Sequence, residues 1–310
     1  MELTFYGATE TVTGSKTLVT TSHNKVLIDC GMYQGPEEIS KKNFRSFGFS
    51  PKELDAVFLT HAHIDHSGLL PRLMAEGFHG LIYTTQATYE LCRVLLHDSA
   101  GIHREEAKKH NHDPLYTERE VDQALSHMKV RNWSDVFHHG DISYSFHPAG
   151  HILGAASLNL TADQKKVLFS GDYGRDDDLL MYAPNPPIGE YDALVVEGTY
   201  GDRLHPKDSA FEVLKKCLQD VVKRESVLII PAFAVARSQD IMILLARVFD
   251  EHPELKIPYY INSPMIQEVT DIYEKHAAET RLQPKEAKRS YELGHYIELA
   301  KESEQVNKRS

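Results

Sequence analysis

The sequence predicts an α/β fold in two parts, on three observations. Short apolar runs rich in β-branched residues recur through the first part with turn residues between them, the pattern of a sheet and not of a helical bundle. One long stretch with helical spacing, from about Gln86 to Lys129, interrupts that pattern. From about Leu204 the chain changes to strand–helix alternation, as in a small parallel α/β domain.

In chain order, strands are expected over residues 3–5, 17–20, 25–29, 56–60 and 81–84. In the helical stretch Tyr89, Leu91, Val94, Leu95 and Ile102 are spaced for a helix. His110-Asn111-His112-Asp113-Pro114 breaks it, and residues 118–128 resume it. This arm is expected beside the mouth of the site, with His97, His103, His110 and His112 as ordinary polar residues of helix and loop. The second part should hold a helix over residues 210–222, a buried strand over 227–231, a helix over 239–249 and a strand over 257–261. No repeat or low-complexity linker separates the parts. The boundary near His205-Pro206 therefore reads as a topological insertion point, dividing the chain into 1–205 and 206–310.

Composition narrows the class. A chain of 310 residues holds one large or two medium domains, since domains run to about 100–200 residues. Hydrophobic residues make up 41%, enough for a packed core, and no apolar stretch approaches the roughly 20 residues that a bilayer crossing needs. The start, Met1-Glu2-Leu3-Thr4-Phe5-Tyr6-Gly7, lacks a basic region and reads as a first strand instead of a secretory leader. Cys30, Cys92 and Cys217 are too few and too scattered for a disulfide framework. The expectation is a cytoplasmic protein with reduced thiols and no membrane partner. A formal net charge of −11 opposes simple nucleic-acid binding, because Lys and Arg normally neutralise the phosphates. No basic block compensates, and His103-Arg104-Glu105-Glu106-Ala107-Lys108-Lys109-His110 is nearly balanced in charge.

The chemistry concentrates in His61-Ala62-His63-Ile64-Asp65-His66, which follows apolar Ala56-Val57-Phe58-Leu59 and precedes helix-like Leu69-Leu70-Pro71-Arg72-Leu73-Met74. Two His separated by one residue at a strand end point the same way, and the Asp-His pair after them can turn toward a second cation. The block can therefore feed two adjacent zinc ions, and its apolar flanks argue against a loose His-rich loop. Two later segments would complete such a site. His151 lies in Ala149-Gly150-His151-Ile152-Leu153-Gly154, where glycines let backbone approach a metal closely. Asp172, in Leu168-Phe169-Ser170-Gly171-Asp172, follows a β-like run, and its carboxylate can give one oxygen to each of two cations. Alone, each segment reads as a turn; in this order after the first cluster, they read as a metal site. Ligand type suits zinc, with manganese or iron also compatible.

Through HAHIDH, GHILGA and SGDYG the sequence resembles the metallo-β-lactamase superfamily. Asp29, in Val26-Leu27-Ile28-Asp29-Cys30-Gly31, matches its short first motif, a carboxylate that orients the ligands without touching the metal. Val195-Val196-Glu197-Gly198-Thr199-Tyr200-Gly201-Asp202-Arg203 is similar to the acidic motif that opens the β-CASP insertion of nucleic-acid-processing members. Ile230-Pro231-Ala232-Phe233-Ala234-Val235-Ala236-Arg237-Ser238-Gln239 and Asn262-Ser263-Pro264-Met265 are similar to that insertion too. The resemblance runs from Leu3 to about Tyr273, and is to bacterial β-CASP ribonucleases and the endonuclease subunit of the mRNA 3′-processing complex. It implies an α/β metallo-β-lactamase αββα sandwich, incomplete here, with the first part of an inserted α/β β-CASP domain. It also implies a zinc-dependent hydrolase that cleaves the phosphodiester bonds of single-stranded RNA. His61, His63 and His151 would hold one Zn2+ as neutral imidazoles, and Asp65, His66 and bridging Asp172 a second. Hydroxide shared between the two would attack phosphorus in line. Asp65 and Glu197 are the expected catalytic residues, Glu197 orienting a protonating group or, alternatively, capping the turn that follows it.

In one respect the sequence departs from the family pattern. β-CASP enzymes carry two further histidine motifs after the region that matches Asn262-Ser263-Pro264-Met265, one supplying the general acid and the other a late zinc ligand. Only His276 and His295 follow Met265, in contexts unlike those motifs. The chain is thus expected to be about the first two-thirds of a longer protein, with a weaker second metal position. The missing strands would leave an open sheet edge that invites a homo-oligomer. Two other readings stay open. One is a hydrolase of a small ester, thioester or lactam, which would have no use for Glu197-Gly198-Thr199-Tyr200-Gly201 and the α/β segment after it. The other is a non-catalytic nucleic-acid-binding fragment.

Overall fold

The computed structural model describes residues 1–204 and 208–296. The chain divides into two compact units, one formed by Met1–Asp177 and Ala183–Gly201, the other by Asp178–Tyr182 and Asp202–Ser310. The boundary expected near His205-Pro206 lies outside the described residues.

In the first unit, β1 (Glu2–Phe5), β2 (Thr17–Thr20) and β3 (Lys25–Ile28) are antiparallel neighbours. β4 (Ala56–Phe58), β5 (Leu81–Thr84) and β6 (Met128–Val130) extend the same sheet in parallel. Its helices are α1 (Glu37–Ser40), α2 (Ile64–Ser67), α3 (Leu70–Ala75), α4 (Gln86–His110) and α5 (Glu118–Ser126). A second sheet follows from β7 (Phe137–His139), β8 (Ile142–Pro148), β9 (Ala156–Ala162), β10 (Lys165–Phe169) and β11 (Ala193–Val195). Its order is β11-β10-β9-β8-β7, antiparallel except for the β10–β11 pair.

Alternation along the strands brings Val26, Ile28, Phe58 and Tyr83 of the first sheet against Tyr144, Phe146, Leu158, Leu160 and Phe169 of the second. The rings of Phe58 and Tyr144 meet edge-on at 4.6 Å in this core. Leu27, Val57 and Ile82 alternate with the core residues and are buried as well. Both faces of the first sheet are therefore covered, which is why its parallel strands read as continuous apolar runs. α5 packs on α3 and on α4 with Leu73, Leu91 and Val121 buried, and α4 touches β6.

At two of the boundaries that differ from expectation the hydrogen bonds show the cause. β4 stops at Phe58, after which Leu59 N–H still reaches Tyr83 O at 2.9 Å but Thr60 N–H turns to the Asp29 carboxylate at 2.8 Å. α5 stops at Ser126, since His127 O accepts from Ile82 N–H at 3.0 Å and Met128 opens β6. The break after α4 falls where the pattern placed it, with Asn111 capping in the left-handed region at φ 52°.

The second unit contains α6 (Ala210–Arg224), α7 (Arg237–Glu251), β12 (Tyr260–Ile261), α8 (Pro264–Lys275), α9 (Pro284–Glu292) and β13 (His295–Tyr296). β12 and β13 pair in parallel, and Leu218, Leu245, Val248, Phe249 and Leu255 form its core. The buried strand expected over residues 227–231 does not form; the segment is irregular and leaves Val227, Ile229 and Ile230 exposed. An apolar run becomes a strand only where a neighbour takes its backbone hydrogen bonds, and no described strand pairs with this one. The strand expected over 257–261 is reduced to Tyr260–Ile261, while Ile257 and Tyr259 pack against the Leu218 cluster. Among the described residues no helix is long and apolar enough to cross a membrane. Cys30 and Cys92 are buried, which pushes their thiols up to about 12.

α5 opens with a reciprocal cap: the Glu120 carboxylate accepts from the Thr117 N–H at 2.9 Å and from the Thr117 hydroxyl. Burial works against that charge, but bonds from Thr117 and Arg119 win and hold the carboxyl down at about 2. A depressed carboxylate stabilises the fold above its unfolded value of roughly 4.3 and loses that contribution as pH falls toward the folded value. Glu120→Ala should therefore cost about 1 kcal/mol at neutral pH. Urea unfolding should show the gap to the parent narrowing from about pH 4 down to about pH 2; a pH-independent gap would count against the cap.

Candidate metal centre

The site is assembled where β3 and β4 end side by side. Asp29 follows β3 with φ 59°, a left-handed conformation that Asp tolerates better than most residues. Its N–H continues the ladder to Phe58 O at 3.0 Å, and the turn aims its carboxylate at the end of β4. There Oδ1 accepts from Thr60 N–H at 2.8 Å, and Oδ2 accepts from the Thr60 hydroxyl at 3.0 Å and from His66 Nδ1 at 2.7 Å. Backbone bonds lace the same loop to α2, Cys30 N–H to His66 O at 2.8 Å and Met32 N–H to Ile64 O at 2.9 Å, and the segment before β2 adds Ser15 N–H to Asp65 O at 2.9 Å. Position 31 must be glycine, because a Cβ there would lie 1.6 Å from Asp65 O.

His61 and His63 sit on the extended link between β4 and α2, and α2 caps itself through Ser67 N–H to His63 O at 2.8 Å. His151 comes from the loop between β8 and β9, where Gly150 has φ 69°. That loop is pinned to the start of α4 by Gly154 O, which accepts from the hydroxyls of Thr85 at 2.7 Å and Thr88 at 2.9 Å. Asp172 follows β10 after Gly171 at φ 57°. Beside it Glu197 ties two turns together, accepting from Tyr173 N–H and Thr199 N–H, each at 3.0 Å. Ser170 Oγ accepts from Glu197 N–H at 3.0 Å, closing the link between the strand ends.

These elements bring His61, His63, His151 and Asp172 together, with one ligand atom from each lying within 4.8 Å of the others. Asp172 Oδ2 lies 3.5 Å from His151 Nε2 and 3.7 Å from His61 Nε2, and Oδ1 accepts from His66 Nε2 at 3.1 Å. Four of the six expected ligands thus come together. His66 joins the group through Asp172, bridging it to Asp29, and Asp65 lies outside the four-residue cluster.

The donor set fits a divalent cation on one specific ground. Thr60 has a single hydroxyl proton, which goes to Asp29, so toward His61 Nδ1 at 3.1 Å its oxygen must accept. His61 therefore carries its proton on Nδ1 and a lone pair on Nε2, and Nε2 is buried without a hydrogen-bond partner. An orphaned acceptor in a site of His and carboxylate is what a cation would satisfy. Burial, followed by the neighbouring charge of His66, pushes the His61 pKa well below its ordinary value and keeps the ring neutral for ligation. His66 is the reverse case: burial opposes its charge, but Asp29 and Asp172 raise its pKa well above the ordinary value. Asp172 is drawn far below the carboxylate range, burial being overcome by the His66 bond and the nearby imidazoles. Burial raises the Asp65 carboxyl.

Sequence reasoning missed Thr60 as the relay and Ser15 as the clamp on Asp65; adjacency to His61 was the only signal for Thr60. Of the histidines of the helical arm, His103 lies against the Tyr116 ring at 5.2 Å, His97 meets Asp122 at 3.4 Å and His112 meets the Phe44 ring at 5.8 Å.

A two-sheet α/β sandwich with His and Asp gathered at its strand ends defines a metal-centre fold of the metallo-β-lactamase type. Residues 12–224 match the metallo-beta-lactamase superfamily and residues 238–310 the Beta-Casp domain, and the chain belongs to that superfamily. It is 36% identical over 88% of its length to Ribonuclease TTHA0252 of Thermus thermophilus, covering 61% of that protein. It is 32% identical over 89% of its length to Transcription termination factor FttA of Methanosarcina mazei, covering 44%. It is 28% identical over 86% of its length to Cleavage and polyadenylation specificity factor 73 of Drosophila melanogaster, covering 39%. The chain thus spans less than two-thirds of the length of these relatives. A protein of unknown function from Enterococcus faecalis shares the fold, with TM-score 0.51 and 17% identity over 87% of this chain and 67% of its own.

If Asp29 orients the cluster, Asp29→Asn should weaken metal binding by about 10–100-fold, because the amide cannot accept from His66 and Thr60 together as the carboxylate does. Competition with a chelator measures this, and an unchanged affinity would remove Asp29 from the site.

Proposed function

We propose that the chain is the metal-bearing part of a β-CASP ribonuclease that hydrolyses phosphodiester bonds of single-stranded RNA with zinc. The observation that carries this reading is the buried, unpartnered His61 Nε2 facing His63, His151 and Asp172. The match to the Beta-Casp domain and relatives named as ribonucleases support the substrate class. Residues 1–205 would form the hydrolase part and 206–310 the start of the insertion, and a cytoplasmic location and self-association through an open sheet edge belong to the same reading.

His61, His63 and His151 would hold one cation, and Asp65, His66 and Asp172 would hold a second. Bound there, the cations supply Lewis acidity and activate water near neutral pH. The residues do the rest. Thr60 and Asp29 keep the His61 lone pair directed inward, so the nearest ligand needs no reorganisation when substrate arrives. Asp172 offers an oxygen on each side, 3.5 Å from His151 and 3.1 Å from His66. Asp65, with its carboxyl raised first by burial, would be the carboxylate beside the activated water. Glu197 holds the Tyr173 and Thr199 turns and through them the Asp172 loop, which makes it a positioning carboxylate.

Two outcomes test the reading. On a version of the protein that turns over measurably, Asp172→Ala should cut cleavage of single-stranded RNA by several orders of magnitude while the unfolding midpoint stays near the parent's. Cleavage at close to the parent rate would refute it. Zinc titration of the 310-residue chain should resolve two unequal affinities, the weaker at Asp65, His66 and Asp172. Two equally tight sites would mean that another residue completes the ligand set of the second cation.

A further inference from the structure

The metal cluster is not the only place where the first unit gathers unusual chemistry. Between the loop that precedes β2 and the start of α3 lies a cavity of about 240 Å³, lined among others by Lys16, Lys42, Arg45, Arg72, Tyr33 and Phe47. Its lining holds four cations and no carboxylate, in a chain whose net charge is −11. Arg72 is answered by Glu76 at 2.7 Å, but neither Lys42 nor Arg45 forms an ion pair with a described residue.

Lys16 is the least expected member. It is 3% exposed and has no carboxylate partner among the described residues; Nζ donates to Gly14 O at 2.8 Å and Gly31 O at 2.7 Å and lies 4.2 Å from the Tyr33 ring centre. An ammonium has three donors, so one remains for a ligand. Burial pulls its pKa down to about 8. A buried cation without a counter-charge is costly, and an anion in the cavity would relieve it. Two of the other three cations are set on aromatic faces, Lys42 over Tyr33 at 5.3 Å and Arg72 over Phe47 at 4.8 Å, which holds them in place before a ligand arrives.

We infer that this cavity is a second ligand site, distinct from the metal cluster, and that it takes the phosphate group of a nucleotide. The volume is below the roughly 300–1,000 Å³ of pockets that enclose a whole small molecule, so the phosphate enters and the rest of the nucleotide lies across the mouth. Arg45 and Lys42 supply the outer contacts and Lys16 the floor. The site also touches the catalytic loops: Lys16 joins the carbonyls of Gly14 and Gly31, while Gly31 and Ser15 are the residues packed on the Asp65 carbonyl. The nucleotide is either a free mononucleotide or one unit of an RNA chain; the second source rests on the ribonuclease reading, and the first does not.

The test uses the full chain and the double variant Lys42→Gln/Arg45→Gln, whose side chains lie at the outer wall and leave the core untouched; an unchanged unfolding midpoint confirms that. Adenosine 5′-monophosphate and an oligoadenylate are titrated against parent, double variant and Asp172→Ala. A free-mononucleotide site is supported if adenosine 5′-monophosphate binds and the double variant weakens it about tenfold or more while Asp172→Ala does not. An RNA site is supported if only the oligoadenylate weakens, with the slope of log affinity against log salt falling by about 1 for each phosphate that is no longer neutralised. The inference is overturned if the double variant binds both probes as the parent does, or if only Asp172→Ala loses binding. Zinc titration of the same proteins reports on the metal centre alone. Failure of the parent to bind zinc, with the nucleotide-binding differences intact, would defeat the ribonuclease reading and leave the phosphate site standing.

Discussion

The Asp29 carboxylate is the constraint from which the candidate site is built. It is 2% exposed and accepts from four donors, two of them on Thr60, one on His66 and one, at 3.5 Å, on Ser15, so it ties the last residue of the β4 extension to the helical turn that follows. Because it can only accept, it decides the direction of every proton around it. The Thr60 hydroxyl must donate to it, which makes Thr60 an acceptor toward His61 and fixes that ring's tautomer. Removing one partner would strand buried polar groups at about 1–3 kcal/mol each, so the network constrains the fold as well as the chemistry.

Backbone contact does the remaining positioning. The loop after β3 comes so close to α2 that a side chain at Gly31 would collide with Asp65 O, and Gly174 approaches Gly150 O so that a Cβ would lie at 1.9 Å. These two approaches lock the Asp65 segment and the His151 segment to neighbouring loops. Ligands held at strand ends by such contacts keep their geometry better than ligands on free loops, because a shift at one would break backbone bonds at the other.

Much of this was legible in the sequence because it is local. The His61, His63 pair is spaced for one side of an extended chain, and Asp29 and Asp172 each follow apolar runs that do form strands. What was not legible depends on distant partners. Residues 227–231 have the composition of a strand but no described neighbour to pair with, so propensity alone misled. The last residues expected in α5 went to β6 because Ile82, far away in sequence, supplied a better bond for His127. Lys16 gave no sequence signal at all, since nothing near it in the chain announces that its ammonium will be buried against two carbonyls and a ring.

Charge reconciles the acidic composition with a phosphate-bearing ligand. A net charge of −11 repels nucleic acid at long range, and at physiological salt that field is screened beyond about 8 Å. What matters for a bound phosphate is the charge within that distance. Four cations line one cavity without a carboxylate among them, and a site of three imidazoles with a carboxylate is suited to hold cations of its own. The surplus of Asp and Glu then works for selectivity: it weakens adhesion of polyanions elsewhere on the surface and leaves attraction only where positive charge is concentrated. An acidic protein with local cationic sites therefore binds fewer phosphates than a uniformly basic one, and holds each of them in a defined place.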